Sequence, residues 1–294
     1  VKVCRYACWF DVIRGGCAIA VSLVLLSSPD AAAQTSSAGP NQGALTFQGG
    51  FDVPSVYFFR GIRQEGDPKL TLWPSATLAI RLRSTDRSEI AADVGIWQSL
   101  HTGTSGTGGP EQKLQYEEDF TAGVVSGLGR RFRARAAFVA YTSPNESFDT
   151  IKEVNLQVAE TGQFQPYAII AFELSDSGQR DNGLKRGTYL ELGASPHWSP
   201  IAGRLGLSVP VKAGFSLNHY YELLGSDLAY HDHRFGFFQV GGLVTLPLTP
   251  PSSRYGSWQV HGGADLLGLG TTTQALNKNQ RSAVVARVGV GVSY

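Results

Sequence analysis

The sequence predicts an all-β protein: a transmembrane antiparallel up-and-down β-barrel of about twelve strands, following a cleaved signal peptide. Three observations predict it. Period-two alternation of apolar and polar residues runs from residue 44 to residue 294, the pattern of strands with two unlike faces. The alternating segments are about ten or more residues long, the length a tilted strand needs to cross a bilayer, where soluble strands usually run to about five or six. The gaps between them alternate in length, as external loops and periplasmic turns do.

Composition narrows the alternatives. The 294 residues carry 25 Lys+Arg against 24 Asp+Glu, and no long basic run appears, which argues against a nucleic-acid partner. Beyond the first thirty residues no uninterrupted apolar run approaches the roughly 18 to 20 needed for a membrane helix. The amino-terminal segment reads as a secretory signal over residues 1–33. Lys2, Arg5 and Arg14 give a basic start, Cys17 to Leu26 a short apolar core, and Ala31-Ala32-Ala33 a cleavage site before Gln34. That core is too short for a membrane anchor. Cys4, Cys8 and Cys17 all precede the cut, so the mature chain is expected to lack thiols, and with them disulfides, thiolate metal sites and a cysteine nucleophile. The opening Val in place of Met points to an alternative start codon and a bacterial source. Residues 34–43 are expected to be a flexible periplasmic leader, and residues 44–294 the barrel.

Twelve segments follow in order: 44–60, 70–82, 89–99, 116–128, 131–141, 150–161, 164–174, 187–197, 203–217, 233–247, 257–269 and 281–294. In Leu205 to Leu217 every odd position is apolar and every even one small or polar. Val284 to Tyr294 repeats the pattern. Between them, Phe132, Ala134, Ala136, Phe138 and Ala140 alternate with Arg131, Arg133 and Arg135, which a strand sets in a row on one face. The longer, Gly/Asn/Asp/Ser-rich gaps at 61–69, 100–115, 142–149, 175–186, 218–232 and 270–280 would face outside. Secreted β-sandwiches and lipocalin-like barrels share signals and alternation. Strand length, a polar second face and aromatics near strand ends favour the membrane barrel. Tyr57, Phe58, Phe59, Trp97, Tyr116, Tyr141, Phe164, Trp198 and Trp258 are expected to form its interfacial girdles.

Two motifs sharpen the expectation. Arg287, Gly289, Val292 and Tyr294 have the spacing of the β-signal that bacterial outer-membrane proteins present to the barrel assembly machinery, and resemble it. Val56-Tyr57-Phe58-Phe59-Arg60-Gly61-Ile62-Arg63-Gln64 resembles the Y-x-F-R-G-I-S-Q motif of the TorF-like porin family, where it ends the first strand. Tyr141-Thr142-Ser143-Pro144-Asn145-Glu146 and Glu153-Val154-Asn155 are similar to that family's Y-x-x-P and following acidic strand. Phe58-Phe59 and Arg63 depart from its usual residues. The resemblance implies porin-like behaviour without fixing a solute.

The candidate pore-lining residues are the ionisable ones in the inward phase: Arg81, Asp93, Glu117, Asp119, Arg131, Arg133, Arg135, Glu153, Glu191, Lys212, Asp265 and Arg287, with Arg60 at the outer end of strand one. The alternative is that they pair across neighbouring strands and fill a narrow barrel. The arginine row suits anionic solutes through bidentate contacts, unless Glu117 and Asp119 neutralise it or Arg131 sits at the periplasmic rim. His231-Asp232-His233 holds two imidazoles that could share a metal, but a solvated outer loop is the simpler reading. His261 and Asp265 could form an inward hydrogen-bonded pair, or His261 a general base opposite a Ser. No phosphate-binding loop motif is present. The expectation is therefore a non-enzymatic porin-like channel in the outer membrane of a Gram-negative-type bacterium. It would pass small polar solutes, anions among them, by passive diffusion, with loops 100–115 and 218–232 constricting the mouth. No cofactor, metal or nucleic acid is expected; the partners would be outer-membrane lipid and the assembly machinery. A non-conducting barrel with a structural or surface-binding role is the second hypothesis, and an outer-membrane lipid hydrolase the third.

Overall fold

The structure, a computed structural model, describes residues 44–85, 88–105, 114–129, 131–174, 185–201, 204–250 and 253–294. The expected signal segment and leader lie outside these residues, as does most of the Gly-rich stretch Gly103 to Gly109.

Twelve antiparallel strands form the wall: β1 (Leu45–Pro54), β2 (Thr71–Ser84), β3 (Glu89–His101), β4 (Leu114–Leu128), β5 (Phe132–Thr142), β6 (Ile151–Glu160) and β7 (Tyr167–Glu173), then β8 and β9, and finally β10 (Phe235–Pro247), β11 (Ser257–Leu269) and β12 (Ser282–Ser293). β8 comprises Thr188–Ala194 and His197–Ile201, and β9 comprises Leu205–Ser208 and Val211–Asn218. Each strand pairs with the next, and β12 returns to β1 with Gln48 opposite Ser293 and Pro54 opposite Arg287. The sheet is closed, so it has no free edge.

Prolines set the interruptions. Pro196 and Pro210 lack the amide hydrogen a ladder requires, and β8 and β9 break beside them at the same level, with Val209 donating to the Pro196 carbonyl at 2.9 Å. The alternation through Leu205 to Leu217 thus spans two strand pieces. β7 starts three residues later than expected because Gln165 takes a positive φ of 44° just before Pro166, which turns the chain there. The largest departure is at the first strand, expected to run to residue 60. It ends at Pro54, and the chain then turns into the lumen.

The wall is inside-out relative to a soluble domain. Leu78, Val94, Phe120, Val124, Leu156, Leu266 and Val284 are exposed on its outer face, while Asp93, Glu117, Asp119, Arg135, Glu153 and Glu191 are buried within. Only a lipid environment makes that distribution favourable, because apolar area of this extent in water would drive association. Leu156 is 45% exposed on β6, and its neighbour Gln157 points inward, opposite Arg135. Leu156→Arg is therefore expected to cost about 2–4 kcal/mol near the midplane, while Gln157→Arg leaves the lipid face untouched. Urea unfolding of the two variants in lipid vesicles checks this; equal losses would contradict the assigned faces.

The aromatic expectation divides. Phe164, Trp198 and Trp258, joined by Tyr255, are exposed near the periplasmic end, and Phe172 and Phe235 near the outer one. Tyr57, Phe59, Trp97, Tyr116 and Tyr141 are instead buried inside the barrel. Tyr116 is the extra residue of a bulge between β3 and β4, which turns both it and Glu117 inward.

Candidate functional site

The site is built around a short hairpin within the lumen. After Pro54 the chain forms two bridged pairs, Phe58 with Arg63 and Phe59 with Ile62, closed by Arg60 and Gly61. Both closing residues have positive φ, 41° and 81°, as a two-residue turn matching strand twist requires. A Cβ on Gly61 would stand 2.8 Å from the Phe237 Cβ. Gly61→Ala is therefore expected to destabilise the docked hairpin by about 1–2 kcal/mol from backbone strain, with crowding added. A lowered urea midpoint would show it.

Tyr57, Phe59, Ile62 and Gln64 are buried among side chains of the wall. Tyr57 meets Trp73 edge-on at 5.2 Å between ring centroids, and Trp97 at 5.6 Å. The Tyr116 hydroxyl donates to Gln64 Oε1 at 2.7 Å, and the Gln64 amide nitrogen donates to the Tyr57 carbonyl at 2.9 Å. Glu65 accepts from the Tyr57 amide at 2.5 Å and from the Thr71 hydroxyl. Burial pushes its carboxyl above the usual carboxylate range, against these two donors and the nearby charge of Arg63.

Arg60, at the hairpin tip, reaches the opposite wall. Its Nη1 and Nη2 donate to Oε1 and Oε2 of Glu153 on β6, each at 2.9 Å, and Nη1 also donates to the Tyr220 hydroxyl at 2.6 Å. The Tyr141 hydroxyl donates to the same carboxylate at 3.0 Å. The guanidinium carbon lies 4.1 Å from the Tyr189 ring centre, 4.7 Å from that of Phe59 and 5.2 Å from that of Tyr220. Two outer loops complete the seat. Tyr221 donates through its hydroxyl to the Arg60 carbonyl at 2.9 Å. Asn277, just past the short helix Thr271–Leu276, donates to the Gly61 carbonyl at 2.7 Å and accepts from the Arg63 amide at 2.8 Å.

Tyr220 and Tyr221 are thus the part of loop 218–232 that folds inward, while Glu222–Leu224 and Tyr230–Asp232 form a separate two-stranded hairpin. Arg60 was legible as a candidate. Tyr220 and Tyr221 lie in the aromatic stretch of loop 218–232 that was expected to constrict the mouth, and Gln64 was named only within the TorF-like motif; Glu65 and Asn277 were not singled out.

Most of the other expected residues occupy the inward face. Arg135 pairs with Asp93, Nη2 to Oδ1 at 2.5 Å and Nε to Oδ2 at 3.1 Å, across the bare backbone of Gly123. Lys212 lies 3.8 Å from Glu191, which also accepts from Tyr167 and Tyr189 at 2.9 and 2.7 Å. Asp265 is buried against Gly241, and Arg287 is half-buried with its Nε shielded and without a hydrogen bond among the described residues. Arg81 is exposed near the periplasmic end of β2.

Three expectations are corrected. Glu117 and Asp119 do not neutralise the arginine row: both are buried beside Tyr57, without a basic ion-pair partner among the described residues. The row itself is not a free ladder. Arg131, its side chain 77% exposed at the periplasmic rim, pairs with Glu160 at 2.5 Å; Arg135 is held by Asp93; only Arg133 faces the lumen without an ion pair among the described residues. His261 pairs with Asp52 at 2.6 Å rather than with Asp265, because β12 separates their strands only by Gly289, which has no side chain to intervene. No serine hydroxyl among the described residues is hydrogen-bonded to that imidazole.

The His231-Asp232-His233 residues also separate. His231 pairs with Asp227 at 2.9 Å, His233 faces the Thr272 hydroxyl at 3.1 Å, and Asp232 accepts from the His219 amide at 3.0 Å. Among the described residues no three metal-ligating side chains converge. On β12, Gly289 faces inward between Asp52 and His261, Val292 lies on the outer face, and Tyr294 is exposed at the periplasmic end.

Acidic and basic side chains are mixed through the middle of the barrel, where Asp52, Asp93, Glu191 and Asp265 accompany the cations, whereas the outer end is mostly acidic. Glu65, Glu117, Asp119, Glu153, Glu173 and Glu222 are buried toward the outer end, where Arg60 is the buried cation. Arg133, Arg135, Lys212 and Arg287 lie toward the middle and periplasmic end.

No described protein family matches the chain, and neither does any curated protein. Solved structures do. The NanC porin aligns over 85% of this chain and 99% of its own, at 11% identity and a TM-score of 0.39. The translocator domain of the autotransporter NalP from Neisseria meningitidis aligns over 86% and 89%, at 13% identity and a TM-score of 0.42. LpxR from Salmonella typhimurium aligns over 83% and 99%, at 10% identity and a TM-score of 0.40. The likeness is one of barrel architecture alone. The chain is a twelve-stranded transmembrane β-barrel whose outer half is filled by its own hairpin.

Proposed function

We propose that the protein is an outer-membrane channel for small polar solutes in a Gram-negative-type bacterium, closed at rest by the inner hairpin. The observation that carries this reading is the seating of the hairpin. A lumen lined by polar side chains such as Asp52, His261 and Lys212 ends on a segment held across it by hydrogen bonds, one ion pair and the packing of Tyr57, Phe59 and Ile62, contacts separate from the hydrogen-bonded ladder of the wall. The hairpin also carries the motif through which the chain resembles the TorF-like porin family.

Undocking would leave Glu117, Asp119 and Glu153 lining the outer half and Arg133 and Arg287 the region below. The neutralisation of Arg131 and Arg135 removes the basis for a strong anion preference, so the reading extends to neutral and zwitterionic solutes. Outer-membrane lipid is the medium that fits the exposed apolar face, and the assembly machinery is the partner that fits the β12 signal.

Swelling of vesicles containing the refolded chain tests the reading. Small sugars and amino acids should enter slowly with the wild type and faster with Arg60→Ala. A second reading, a non-conducting structural barrel, is favoured by the aromatic packing around Tyr57. Absence of swelling in both folded proteins would establish it.

A further inference from the structure

We infer that the seat of Arg60 is a recognition site for organic cations bearing a guanidinium group, occupied at rest by the chain's own arginine. An ion pair that merely fastened the hairpin would need only Glu153. The site supplies much more: both carboxylate oxygens take one nitrogen each at 2.9 Å, and the rings of Tyr189 and Tyr220 lie within cation–π reach of the guanidinium. An ammonium ion cannot make the two parallel bonds, so the chemistry selected is the planar fork.

The seat belongs to the wall and outer loops more than to the hairpin. Tyr189 packs on Tyr220 at 4.9 Å between centroids, and Tyr220 on Tyr221 at 5.1 Å. The Tyr220 amide donates to the Ser216 hydroxyl at 3.0 Å, and Thr272 donates to the Tyr221 carbonyl at 2.7 Å. Tyr141 orients Glu153 from β5. Of the three rings over the guanidinium, only Phe59 leaves with the hairpin. The site vacated by Arg60 therefore keeps its carboxylate, two rings and two hydroxyls. The Glu153 carboxylate, which takes both guanidinium nitrogens, favours a cation over a neutral guest.

Arg60 and a free guanidinium compound exclude each other, so a ligand bound to the wall shifts the hairpin toward its undocked state by its affinity for the vacated site. This gating consequence rests on the channel proposed above; the recognition itself does not.

The test uses Arg60→Ala, which removes the native guanidinium, with ethylguanidinium as the probe and ethylammonium at equal ionic strength as the control. Calorimetric titration of the refolded variant in detergent should show saturable heat with ethylguanidinium and none with ethylammonium. A further Glu153→Gln change should weaken binding about ten- to a hundredfold, the worth of a charged hydrogen bond converted to affinity. Should Arg60→Ala refold poorly alone, a higher yield of heat-modifiable barrel in ethylguanidinium than in ethylammonium is the expected result. Equal yields or equal heats with the two cations would overturn the inference. Planar-bilayer recording separates this from the channel reading. Selective binding by a barrel that never conducts would keep the recognition site and remove the channel. Conductance without selective binding would do the reverse.

Discussion

Replacement of Arg60 by alanine is expected to release the inner hairpin and to lower the stability of the docked state by about 3–5 kcal/mol. The cost comes from the partner left behind. Glu153 is wholly buried, and after the substitution its carboxylate would keep, among the described residues, the Tyr141 hydroxyl, together with whatever water can reach it. The aromatic stacking over the guanidinium is lost as well. Trypsin reports the result directly, since Arg63 lies in the hairpin, is held by Asn277 in the wild type, and becomes a cleavage site once the segment swings free. Rapid cleavage of Arg60→Ala after Arg63 in micelles, against a wild type uncut at that bond, is the expected outcome. Arg60→Leu combined with Glu153→Leu should recover much of the lost stability, because no charge is then buried alone. An Arg60→Ala variant left uncut after Arg63 would mean that the aromatic contacts of Tyr57 and Phe59 hold the hairpin by themselves.

Asp93→Ala carries the second large effect. Arg135 is almost completely buried, and its two bonds to Asp93 are its ion-pair contacts among the described residues. Leaving that guanidinium without its partner is expected to cost about 3–5 kcal/mol, less where the lumen admits water. The same change frees a positive charge beside Arg133, so any current the barrel carries should shift toward anions. Urea unfolding and reversal potentials in a salt gradient check the two halves. The Asp93→Ala, Arg135→Ala double variant should regain stability and lose the anion shift. An Asp93→Ala barrel as stable as the wild type would show that water already compensates the pair.

The wall was legible because its signal is local. Each strand announces itself by alternation, as in Val284 to Tyr294, and closure follows from an even strand number with alternating gap lengths. Alternation alone joined what prolines interrupt: Leu205 to Leu217 reads as one strand with Pro210 on its polar face, yet β8 and β9 break beside Pro196 and Pro210. The filling of the barrel was not legible. An aromatic at a strand end looks the same in sequence whether it faces lipid or lumen, so Tyr57, Trp97 and Tyr141 read as girdle residues although they pack inside. The inner hairpin reads as the end of β1, since Tyr57, Phe59 and the residues around them continue the strand's texture. Partnerships failed for a different reason. Asp52 meets His261 and Arg60 meets Glu153 across sequence separations of 209 and 93, set by closure and by the hairpin's reach rather than by spacing. Of the arginine row, Arg133 and Arg135 share a face of β5 while Arg131 lies just before it at the rim, and the neutralising carboxylates are Asp93 and Glu160 instead of Glu117 and Asp119.

Single-channel recording of the refolded chain in a planar bilayer, wild type beside Arg60→Ala, tests the hairpin as a gate most directly. The account predicts a wild type that is mostly closed with rare openings, and an Arg60→Ala barrel that opens in long discrete steps. A folded, heat-modifiable Arg60→Ala barrel that stays silent, or a wild type as open as the variant, would contradict it.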